Sequence, residues 1–92
     1  MAYNGSEGGM ISRNAARLLT NNYRNSSTFT LNNNVEAILF GKDHIEDILN
    51  QTECKGIRIY FGKDGVTPGD QPQLILVGYD INGNDLVEKI VD

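Results

Sequence analysis

The sequence predicts an α+β domain of two layers, or three if a helix lies on each side of the sheet. The elements run α-β-α-β-β-α, and the three-stranded antiparallel sheet has the order 1-3-2. Three observations carry this prediction. Ile45, Ile48 and Leu49 recur at helical spacing within KDHIEDILNQ, whereas Ile57, Ile59 and Phe61 alternate with Arg58 and Tyr60 at the strand period. Leu74 to Val77 is apolar at every position, as a strand covered on both faces must be.

Each element has a local justification. Residues 1–10, small, polar and glycine-rich, are expected to form a flexible tail, with 11–92 as a single domain. Ser12 is a suitable N-cap for a helix over Arg13–Arg24, whose Ala15, Ala16, Leu18, Leu19 and Tyr23 share one side. Arg13, Arg17 and Arg24 fall within about 40° of one another on the other side. SSTFTLNNN reads as a loop or short edge strand. VEAILFG (35–41) is the first expected strand, and Asp43 with Glu46 forms a D-x-x-E cap for a second helix ending near Gln51.

GIRIYFG is the second expected strand, the glycine- and proline-bearing GKDGVTPGDQP a long hairpin loop, and QLILVGYDI the third. After a turn at Asn82-Gly83, DLVEKIVD reads as a terminal helix: Asp85 and Glu88 repeat the D-x-x-E cap, and Leu86 with Ile90 and Val87 with Val91 pair at i, i+4. Placing the most apolar strand centrally gives the order 1-3-2 with a right-handed crossover. The second helix then covers Ile57, Ile59 and Phe61. The opposite face, with Arg58, Tyr60, Ile75, Val77 and Tyr79, is left to the first helix or to another subunit.

Composition narrows the function classes. Ninety-two residues form one modest core, burying roughly 60–68% of the unfolded surface. The net charge of −4 is unevenly divided: residues 1–34 hold three arginines against Glu7, and residues 35–92 hold five basic against eleven acidic side chains. That balance argues against nucleic acid as a partner, because neutralising phosphates supplies most of such binding. The longest apolar run, Leu74 to Val77, is far too short to span a bilayer, so no membrane association is expected. Nor does a charged-then-apolar segment open the chain as a secretory signal would. One cysteine, Cys54, cannot form an internal disulfide, and a cytoplasmic protein is expected.

No catalytic, cofactor or metal constellation is recognisable. His44 and Cys54 could in principle pair as base and nucleophile, but no third orienting group accompanies them, and a surface histidine with a structural thiol is the simpler account. One histidine, one cysteine and scattered carboxylates do not make a structural zinc set. Asp80 to Asp85 mimics the start of a calcium loop, yet its glycine stands fourth rather than sixth and the twelfth position is Val91, so a turn explains it better. FGKDH and FGKDG place Lys42 and Lys63 after strand-ending glycines, where each could hold an anion, although the phosphate-loop motif is absent. The arginine stripe of the first helix suits bidentate contact with carboxylates of another copy or of an acidic protein partner.

Ile11-Ser12, Ala16, Leu18 to Thr20, Tyr23-Arg24, LFGKDHIEDILNQ, Cys54, GIRIYFG and QLILVGYDINGND together resemble a family of small uncharacterised proteins of Bacteroidetes-type bacteria. The likeness covers nearly everything after Met10 and implies no activity, cofactor or site residue. The expected function is therefore a non-enzymatic protein-interaction or self-assembly module, a homo-oligomer, with Arg13, Arg17, Arg24, Arg58, Tyr60, Ile75, Val77 and Tyr79 as interface candidates. The alternative is a small-molecule or nucleotide-binding domain using Lys42, Lys63, Arg58 and Tyr60.

Overall fold

A computed structural model of the chain describes residues 2–92. Ser12 accepts a hydrogen bond from the Ala15 amide at 3.0 Å and so starts α1 (Arg13–Arg24) where its capping chemistry requires. A short α2 (Ser27–Leu31) replaces the expected loop or edge strand. It lets Phe29 meet Tyr23 edge-on at 5.6 Å, which makes the two helices one small unit. Next comes α3 (Lys42–Leu49), whose N-cap is Gly41; Asp43 lies in the first turn and is not the cap.

Three strands follow: β1 (Gly56–Lys63), β2 (Pro72–Tyr79) and β3 (Asp85–Val91). They form an antiparallel meander in the order β1-β2-β3. This overturns the expected order 1-3-2. QLILVGY is the central strand, but its second neighbour is DLVEKIV, the segment expected to be a helix, and not VEAILFG. The cause is loop entropy. Both edges of β2 are claimed by segments adjacent in sequence, through the 64–71 loop and the turn at Asn82-Gly83, and short closures cost less than bringing residues 35–41 from afar. An eight-residue helix has little stability of its own, so strand pairing prevails over the D-x-x-E signal. The segment 35–40 remains an irregular connection, tied by Tyr23 Oη donating to the Val35 carbonyl at 2.9 Å and by Arg24 paired with Glu36 at 2.8 Å.

Strand register sorts the sheet into two faces. Ile57, Ile59 and Phe61 stand opposite Gly78, Leu76 and Leu74 on the α3 side, while Arg58 and Tyr60 stand opposite Val77 and Ile75 on the other. Gly78 makes the close seat for α3. A Cβ there would lie 2.9 Å from Cys54 Sγ, 3.0 Å from Gln51 Nε2 and 3.3 Å from Ile48 Cγ2. The helix therefore covers one end of its face and not the whole row that the sequence suggested, leaving Ile59 53% and Phe61 92% exposed.

Among the described residues only Ile48, Leu76, Val77 and Tyr79 are buried hydrophobics, while fourteen large apolar side chains are exposed. The chain exposes 7045 Å², whereas a folded monomer of 10.2 kDa ordinarily exposes about 5,300 Å². Its radius of gyration is 15.2 Å, against about 12 Å for a compact chain of this length.

Candidate interaction surface

On the face opposite α3, Arg58 stands beside Val77 in the register, and its guanidinium pairs with Asp85 of β3 at 2.5 Å. The side chain thus crosses the central strand, passing 5.7 Å from the Tyr79 ring centroid, and shields Val77. Tyr60 Oη donates to the other Asp85 oxygen at 2.6 Å. The Tyr60 oxygen and then the Asp85 carboxylate hold the guanidinium charged beyond its ordinary range.

The N-terminal segment closes the end of this face. Tyr3 donates its amide to the Ile81 carbonyl at 2.8 Å and sets its ring edge-on to Tyr79 at 5.6 Å. Tyr79 Oη donates to the Glu7 carboxylate. This hydrogen bond, reinforced by the Asn4 and Gly5 amides, holds the Glu7 carboxyl below its usual value, while the same bond and burial push the Tyr79 phenol up. Gly83, at φ +83°, is where backbone and ring meet: a Cβ there would lie 2.5 Å from Tyr3 Cε2. Composition alone gives no signal for these contacts; the tyrosine at position 3 was the only clue.

The sequence-derived interface candidates therefore separate. Val77 and Tyr79, 3% and 8% exposed, are internal to the chain; Ile75 is half-buried and Tyr60 exposed. Arg13, Arg17 and Arg24 are exposed on α1, Arg24 being engaged by Glu36. The helix does not lie on the sheet as one expectation held, and Leu18 and Leu19 on its apolar flank face solvent.

Lys42 and Lys63 have separate partners. The Lys42 ammonium lies 3.7 Å from Glu46 one helical turn on, and that of Lys63 donates to the Thr67 carbonyl within the hairpin loop at 3.0 Å. Cys54 Sγ donates to the Gly56 carbonyl at 3.3 Å beside Gly78, while His44 is exposed on α3. Asp80 Oδ1 accepts from the amides of Asn82 and Asn84, each at 2.9 Å, so its turn is closed by its own backbone.

Sequence reasoning missed the apolar surface at the far end of β1. There Phe61, Leu74 and Pro72 line a groove of about 260 Å³ with Tyr23, Val35 and Ile38. The apolar content of VEAILFG is the available signal, but taken alone it reads as a strand.

Comparison with protein-family models, curated proteins and solved structures finds no match to this chain. Among the described residues no helix is long and apolar enough to cross a membrane.

Proposed function

We propose that this protein is a non-enzymatic self-assembly module whose working form contains at least two copies. One observation carries the reading: the chain leaves about 1,700 Å² more surface exposed than a monomer of its mass ordinarily does. A stable interface takes about 800 Å² from each partner, so the surplus is ample for one. Its character fits association, because it includes Ile59, Phe61, Leu18 and Leu19 and is not confined to charged loops.

The uneven charge supports like partners meeting in complementary fashion, with the exposed Arg13 and Arg17 on one helix and most carboxylates in the remaining chain. The same acidic excess disfavours nucleic acid. A cytoplasmic location and membership of the small bacterial family that the sequence resembles belong to this proposal, supported by the single cysteine and by LFGKDHIEDILNQ with GIRIYFG. Sedimentation equilibrium of the full chain at micromolar concentration tests it. A mass of two or more chains is expected, and a strict monomer overturns it.

A further inference from the structure

The two edges of the sheet are not equivalent. The β3 edge is guarded: its register slips between Val77 paired with Ile90 and Gly78 paired with Leu86, so Val87, Glu88 and Lys89 bulge out of the ladder and put two charges there. The β1 edge has no such bulge; the N-terminal segment reaches its start, where Gly5 approaches the Lys55 carbonyl, and leaves the stretch from Ile59 to Lys63 free. The strand is eight residues long, without proline or bulge, and both its charged side chains are drawn away, Arg58 across the face to Asp85 and Lys63 into the hairpin loop at Thr67.

The direction of its free backbone groups follows from the ladder. The Asp64 amide donates to the Gln71 carbonyl at 3.1 Å, in the same register as the strand pairs. Backbone groups alternate in direction along a strand, so the even-numbered residues bond to β2, and Ile57, Ile59 and Phe61 turn their N–H and C=O groups outward.

Resting on the self-assembly reading, we propose that the open edge of β1 pairs antiparallel with β1 of a second copy, about a two-fold axis at Ile59, joining two three-stranded sheets into one of six. The register follows from the side chains. With the axis at Ile59, Ile57 of one copy meets Phe61 of the other on the α3 side, and on the opposite side Arg58 stands across from Tyr60, both tied inward to Asp85 of their own chain so that no like charges face each other. An axis at Tyr60 would instead set Ile57 against Lys63. The Ile59 arrangement supplies partners for the outward amides and carbonyls and covers apolar side chains now 53% and 92% exposed. The surplus surface exceeds the roughly 800 Å² per copy that a stable dimer needs.

Two variants of the full chain test this. Ile59→Lys sets two ammonium groups against each other across the axis, and the exposed position leaves the monomer folded. In a Cys54→Ser background, Ile59→Cys places thiols on a hydrogen-bonded pair with Cα atoms about 5.5 Å apart, within the range a disulfide spans. The expected results are a two-chain mass for the unaltered protein, a one-chain mass with unchanged circular dichroism for Ile59→Lys, and oxidative cross-linking of Ile59→Cys but not of Val66→Cys on the hairpin loop. A two-chain mass retained by Ile59→Lys overturns the edge pairing and leaves self-assembly standing. If Ile59→Lys unfolds, absence of the Ile59→Cys cross-link overturns it. A monomeric unaltered protein overturns both.

Discussion

Gly78→Ala tests the packing on which the fold depends. The added methyl would lie 2.9 Å from Cys54 Sγ, 3.0 Å from Gln51 Nε2 and 3.3 Å from Ile48 Cγ2. The Gln51 amide can withdraw, but it then gives up its 3.0 Å bond to the Ile48 carbonyl. Ile48 is fully buried and Cys54 is tied to the Gly56 carbonyl, so α3 has to lift from β2. Overpacking of this kind costs about 1–3 kcal/mol. For a domain of this length each kcal/mol lowers Tm by roughly 4–8 °C, and a fall of about 5–20 °C is expected.

Gly62→Ala on the adjacent strand is the control. The nearest atoms to its new methyl are Ile75 Cγ1 at 3.7 Å and Gln73 Cβ at 3.8 Å, ordinary contact distances. Removing glycine's backbone freedom where nothing clashes gains about 0.4–1 kcal/mol. Thermal melts followed by circular dichroism at one fixed protein concentration compare the two, since association makes Tm concentration-dependent. Equal melting temperatures for Gly78→Ala and the unaltered chain would refute the placement of α3 on β2.

Ile48→Ala should cost about 2–5 kcal/mol, because the side chain is wholly enclosed and little else fills its site; urea denaturation reads the loss as a lower midpoint at unchanged slope. The N-terminal contact should depend on pH at both ends. The Glu7 carboxyl is lowered in the folded state, so its contribution is present above the ordinary carboxylate pKa of about 4.3 and lost as pH falls through the lowered value. The Tyr79 phenol is raised, so its contribution holds below about 10 and is lost as pH rises through the raised value. The ring-current shift that Tyr3 imposes on Gly83, followed by NMR, should therefore vanish at both extremes, and Glu7→Gln should remove the acid transition; a shift constant with pH would contradict this docking. Asp85→Asn should weaken the tie across the sheet, exposing Val77 and lowering Tm modestly, since the Arg58–Asp85 pair is only partly shielded from water.

What was legible in the sequence was what local chemistry decides. Ser12 and the spacing of Ala15, Ala16, Leu18 and Tyr23 define α1 without help from the rest of the chain. The apolarity of Leu74 to Val77 likewise identifies the central strand. The errors arise where a segment's conformation is set by its neighbours. DLVEKIVD carries helix signals at Asp85 and Glu88, yet Asn82-Gly83 between two apolar runs is also a strong hairpin signal, and β2 offered an open edge to pair with. Once β1 and β3 occupied both edges, VEAILFG had no ladder to join. The candidate surface was legible only in part: Arg58 and Tyr60 share a face as their alternation requires, but their shared bond is to Asp85 of β3, a segment whose local signals predict a helix.

The asymmetry of the edges also bears on how far association can proceed. A sheet open at both edges would add copies indefinitely, as heterologous contacts do when they fail to close. The proposed pairing through β1 is isologous: each copy would use its β1 edge, and the six-stranded sheet would then end at β3 on both sides. There the bulge at Val87 to Lys89 interrupts the regular array of amides and carbonyls that a further strand would need. Arg58 serves both properties, because its bond to Asp85 clears charge from the β1 edge while fastening the guarded strand to the other two. The exposed apolar edge is thereby compatible with a closed pair and not with a fibre.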